Sequence, residues 1–79
     1  MMYGMYTIFD RVAEEAMPPF TAKTDGLAIR IFLDVLSKSP HPKNDFLLYR
    51  IGEWDPETHT LTGNVRCQIP ISDKEDVES

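Results

Sequence analysis

Cysteine is almost missing from this chain: Cys67 is the only one among 79 residues. No intrachain disulfide is open to it, although a domain this small commonly needs support beyond its own core. Cys67, His41 and His59 lack the paired spacings of a zinc site, so a structural metal is not expected either. Glycine is scarce and scattered, at positions 4, 26, 52 and 63, which leaves no phosphate-cradling loop. No apolar run approaches the ~18 residues needed to cross a bilayer. The N-terminus carries no basic-then-apolar leader, and the expected location is the cytoplasm. Positive charge is also short, with 8 Lys and Arg against 13 Asp and Glu and a net charge of −5. That balance argues against a purely electrostatic nucleic-acid binder.

Catalytic equipment is equally thin. A nucleophile needs a base and an orienting group brought together. Cys67 alternates onto the inward side of its strand and reads as a small buried thiol. Glu14–Glu15 and Asp55–Glu57 fall in loop or turn sequence and read as solvated acids rather than an acid–base pair. The Asp55–Glu57 spacing matches part of a calcium loop, but the later glycine and distal glutamate are absent. Neither an enzyme nor a cofactor is expected. The chain reads as a binding protein.

The order of elements follows from periodicity. Residues 3–10 are aromatic and β-branched and predict a first strand. Residues 11–20 predict loop, with a helical turn available from Val12 to Met17 before Pro18 and Pro19 stop it. A helix is predicted from Asp25 to Ser37, capped by Thr24 or Asp25 and ended by Ser39, Pro40 and Pro42. Asp45 to Trp54 predicts a second strand, with Leu47, Tyr49 and Ile51 on one face and Phe46, Leu48, Arg50 and Gly52 on the other. Asp55-Pro56-Glu57-Thr58 is turn chemistry. A third strand runs from Thr60 to Ile69, with Leu61, Val65, Cys67 and Ile69 inward and Thr62, Asn64, Arg66 and Gln68 outward. The fold class is α+β: a single domain over 1–72, β-α-β-β, with one helix on a three-stranded, mainly antiparallel sheet. Residues 73–79 hold four acids and one base and read as a disordered acidic tail outside the fold.

Two surfaces suggest binding. The helix is apolar around most of its circumference, wider than one sheet contact requires. Ile29, Ile31, Phe32, Leu33 and Leu36 therefore read as the interface of a homo-oligomer, most simply a dimer. Arg50 and Arg66 lie on paired strands, with Tyr49 and Trp54 close by and Lys43 and Arg30 adding charge. Aromatics beside cations on a sheet can stack bases and hold phosphates, which makes these six a candidate single-stranded-DNA surface. The plainer reading puts Tyr49 in the core, the arginines in solvent and Trp54 as a packing anchor over the hairpin. Phe20 reads as a plug closing the core.

Several segments taken together are similar to the small nonstructural protein of the gokushoviruses, tailless single-stranded-DNA bacteriophages of the microvirus family. They are Tyr6-Thr7-Ile8-Phe9-Asp10 with Ala13-Glu14, and Pro19-Phe20 followed by Gly26-Leu27-Ala28-Ile29-Arg30-Ile31-Phe32 with Asp34. The third is His41-Pro42 with Asp45-Phe46, leading into Leu48-Tyr49-Arg50-Ile51-Gly52-Glu53-Trp54-Asp55. The resemblance spans residues 5–71. One departure concerns the hairpin turn, where relatives commonly carry Thr-Gly and this chain has Thr58-His59. A left-handed His59 would be strained by ~1 kcal/mol, so a rearranged turn is expected.

The resemblance implies a phage product of the host cytoplasm that is absent from the virion. It would act as an accessory to viral single-stranded-DNA synthesis or DNA packaging. It brings no catalytic residues. The alternative is a protein–protein module that engages the viral replication protein, the assembling capsid or a host factor without touching DNA.

Overall fold

Aromatic and β-branched residues make Tyr3–Asp10 a strand, β1. In the computed structural model, which describes residues 2–71, it is the hub of the sheet. The acidic stretch 73–79 lies outside the described residues. Asp10 ends β1 by accepting hydrogen bonds from the backbone N–H of Val12 (2.9 Å) and Ala13 (3.1 Å). This Asx turn competes with the helical turn that Val12–Met17 offers, and it wins. The chain reverses through Glu14 at φ 56° and pairs back as β2, Glu15–Ala16.

Pro18 and Pro19 then interrupt the pairing, because neither has an N–H to give. The Met17 N–H still reaches the Ile8 carbonyl at 2.8 Å, and the Thr7 hydroxyl donates to the Met17 carbonyl at 2.7 Å. Pairing resumes as β3, Phe20–Ala22, on the same edge of β1. Residues 15–22 are thus one edge strand broken by two prolines, where a loop had been expected up to Phe20. Prolines are tolerated there because an edge strand has only one neighbour.

Thr24 caps helix α1, Asp25–Ser37, its hydroxyl accepting from the Leu27 N–H at 3.1 Å. A 3-10 turn at Lys43–Asp45 leads into β4, Phe46–Asp55, which pairs antiparallel with all of β1. β5, Thr60–Gln68, returns along the far side of β4. The class is α+β, with one helix against a mainly antiparallel, curled sheet. The sheet has five strands rather than three, because β2 and β3 extend it.

The core lies between α1 and one sheet face. Tyr6, Ile8, Phe46, Leu48 and Ile69 meet Ala28, Ile29, Phe32 and Leu36 there, with Ala22 at the edge. Ile31, Leu33 and Val35 pack partly against the same cluster. The broad apolar arc of the helix is therefore largely used inside one chain. Ile29, Phe32 and Leu36 are core residues, not partner contacts. Phe20 plugs the core as expected, stacked on Tyr6 with ring centroids 5.8 Å apart. The third strand departs from its alternation: only Ile69, just beyond β5, is buried, while Leu61, Val65 and Cys67 are exposed. Period two puts residues on opposite faces, but it does not ensure that anything covers either face.

Two irregularities meet in the middle of β4. Against β1, the ladder shifts between Met5 and Tyr6, leaving Ile51 as an extra residue. Against β5, three residues, 64–66, stand opposite that same Ile51. Bulges bend a strand and deepen its twist. The bend brings β5 so close that a Cβ on Gly52 would lie 2.2 Å from the Thr62 carbonyl oxygen. Only glycine fits.

The distal turn keeps its left-handed residue, contrary to the rearrangement expected, with His59 at φ 58°. Asp55 accepts from the Glu57 N–H at 2.9 Å, and the Thr58 hydroxyl donates to that of Thr60 at 2.8 Å. These bonds hold the turn against the strain at His59. Gly52→Ala should destabilise the protein by at least about 1–3 kcal/mol, through overpacking against backbone. His59→Gly should stabilise it by about 1 kcal/mol by relieving the left-handed strain. Urea titration followed by circular dichroism checks both.

Candidate nucleic-acid interface

The register sorts the candidate residues onto two faces. Tyr6 pairs with Arg50 and Ile8 with Leu48, and these point toward the helix. Thr7 pairs with Tyr49, Phe9 with Leu47, Met5 with Gly52 and Tyr3 with Trp54, and these point away from it. Tyr49 and Trp54 are five residues apart, so an unbroken strand would put them on opposite faces. The extra residue at Ile51 reverses that parity. Both aromatics therefore share the outer face with Tyr3 and Phe9.

On that face the Phe9 and Tyr49 rings meet edge to face, with centroids 6.4 Å apart. The Arg66 guanidinium lies 5.3 Å from the Tyr49 centroid. This is within cation–π range, and the guanidinium can still face a phosphate. Gln68 pairs with Tyr49 and Leu61 with Trp54 from β5. Tyr3, Phe9, Leu47, Tyr49 and Trp54 are all half-buried, flanked by neighbours rather than roofed over. None of the outward positions paired here carries a carboxylate. The acidity of the chain is placed elsewhere.

Arg50 belongs to the other face. Its guanidinium sits 3.4 Å from Asp25 Oδ1 and 6.0 Å from the centroid of the Tyr6 ring. The Tyr6 hydroxyl donates to the same Asp25 oxygen at 2.5 Å. Together they pin the first turn of α1 to the middle of the sheet. Arg50 and Arg66, expected on one surface, are thus on opposite sides of it. Cys67 is the residue paired with Arg50, so the strand's own alternation turns its neighbour Arg66 to the other side. Burial is the main cause that pushes the Tyr6 hydroxyl up to about 12; the bond to Asp25 and its charge add to it, and Arg50 opposes.

The other expected cations are dispersed. Arg30 is exposed on the helix, across the sheet from Tyr49. Lys43 lines a cavity of about 260 Å³ at the end of the sheet, where Arg11 also lies. Arg11 is fixed there by its N–H to the Asp45 carbonyl (2.8 Å) and its guanidinium to the Asn44 carbonyl (3.2 Å). Of the six residues first singled out, Tyr49, Trp54 and Arg66 share a face; Arg30, Lys43 and Arg50 do not join them. Sequence reasoning missed Tyr3 and Phe9. Their aromatic alternation with Met5 in β1 was the signal available for them. Among the described residues, no three His, Cys, Asp or Glu side chains are grouped to hold a metal, and no helix is long and apolar enough to cross a membrane.

The molecule is thus an α+β domain whose outer sheet face gathers four half-buried aromatic rings. Residues 3–70 match the family described as Phage ORF5 protein. The chain belongs to that family of phage proteins. No curated protein and no solved structure matches it.

The buried Tyr6 hydroxyl, bonded to Asp25, has a signature in alkali. The folded state holds the phenol neutral up to about 12, against an ordinary value of 10.0. Its contribution is therefore complete below pH 10.0 and is lost as pH rises through about 12. Tyr6→Phe should cost about 1 kcal/mol at pH 7. Its stability should fall less than that of the wild type between those two pH values. Urea midpoints measured across that range check both statements.

Proposed function

We propose that this phage protein is a non-enzymatic accessory factor that binds single-stranded DNA on the outer sheet face. It would do so in the host cytoplasm, during viral single-stranded-DNA synthesis or packaging. The observation that carries the reading is Arg66 lying over Tyr49, with Phe9 against the same ring, on a face whose paired positions lack carboxylates. The open side of such half-buried rings offers a stacking surface to any base, and a guanidinium beside them offers a phosphate contact. The similarity to the gokushovirus nonstructural protein supports the same biological setting.

One arginine on the face makes the electrostatic part weak, so stacking has to dominate. The overall charge of −5 opposes binding at long range. That charge favours the second reading, a module for the viral replication protein, the capsid or a host factor, which would use the same apolar face without DNA.

Fluorescence anisotropy of a labelled oligothymidylate separates the two. Tyr49→Ala should weaken binding by about 1–3 kcal/mol, roughly 5- to 150-fold. Arg66→Ala should flatten the dependence of log affinity on log salt by about 0.7. Arg50→Ala, on the opposite face, should leave that slope unchanged. No binding at low salt, or full binding by Tyr49→Ala, would reject the DNA reading in favour of the protein partner.

A further inference from the structure

β5 is an edge strand with no buried residue. It pairs with β4 along one edge and has no strand on its other side among the described residues. All nine of its residues are exposed. Leu61 is 61% exposed and Val65 92% exposed. A strand open on one edge presents a row of unpaired N–H and C=O groups, which is a template for another strand. Natural edges are usually blunted by lysine, proline or inward charge. Within Thr60–Gln68 there is no lysine and no proline, and the only charge is Arg66. The irregularity at residues 64–66 is the one protective feature.

We propose that β5 is the contact strand of a homodimer, the edges of two copies pairing antiparallel about a two-fold axis normal to the sheet. A second copy is the occupant favoured by charge: with one ionic residue in nine, the strand meets no row of like charges when it faces itself. The area available sets the strength. At ~3.4 Å per residue, nine residues make an edge about 30 Å long, and the interruption opposite Ile51 shortens the regular part. Such a contact buries well under the roughly 1,200 Å² of standard stable complexes, so the dimer is weak and concentration-dependent. Pairing about this axis keeps the two helices on one side and sets the two aromatic faces side by side on the other. The inference stands without the DNA reading, since it concerns the protein alone.

Sedimentation equilibrium of the full chain from about 10 µM to about 1 mM tests it, spanning the affinities of weak interfaces. The mass should rise from 9.1 kDa toward twice that value. The β5 amides that point away from β4 should exchange hydrogen more slowly at the high concentration. Val65→Lys removes almost no packing from a single chain, so it should leave the melting curve of the dilute protein unchanged. It should raise the dissociation constant at least tenfold. A wild type that stays at 9.1 kDa throughout would overturn the proposal. So would a dimer that Val65→Lys does not weaken, or one whose β5 amides gain no protection.

Discussion

One extra residue in β4 decides what this protein can present to a partner. Without the bulge at Ile51, the five-residue spacing of Tyr49 and Trp54 along a regular strand would point them to opposite sides. With it, the rings of Tyr3, Phe9, Tyr49 and Trp54 are gathered on the face that the helix leaves free. The same point bends the strand, and the bend presses Gly52 against the Thr62 carbonyl. Glycine there is a condition for the curl. The curl in turn brings more of the sheet around α1, so that a small domain covers most of a broadly apolar helix.

The two faces then divide the work. Toward the helix, Tyr6 connects several functions: its ring stacks with Phe20 and its hydroxyl holds Asp25 beside Arg50. Phe32, Phe46 and aliphatic side chains fill the rest of that layer. Away from the helix, the paired positions carry aromatics, aliphatics, threonine and glutamine, with Arg66 over Tyr49 as the one cation named there. The segregation matters because the chain as a whole is acidic. A face without carboxylates can accept an anionic partner at short range, even where the distant field repels it.

Much of this was legible in the residues. The helix is found from Asp25 to Ser37 with Thr24 as its cap, because cap, apolar period and terminating prolines agree. β1 falls at 3–10, and β4 is displaced by one residue from its expected bounds. What was hidden has physical causes. Pro18 and Pro19 mask an edge strand that survives on pairing to either side of them. A bulge leaves no mark on hydrophobic alternation, so the shared face of Tyr49 and Trp54 could not be read. The alternation in β5 gave the right period and the wrong burial, because nothing packs over Leu61 or Val65. The turn at His59 was expected to rearrange and does not: His59 keeps the left-handed conformation, with hydrogen bonds on either side of it.

Trp54, the only tryptophan in the chain, makes the central claim directly measurable. Its fluorescence reports on the outer face alone, since it is paired with Tyr3 on that side. Titration of the protein with oligothymidylate at low salt, followed by added salt, is the decisive measurement. Saturable quenching that recovers as salt rises would mean that bases meet the aromatic face and phosphates meet its cation. Unchanged Trp54 emission at saturating oligonucleotide would contradict the account.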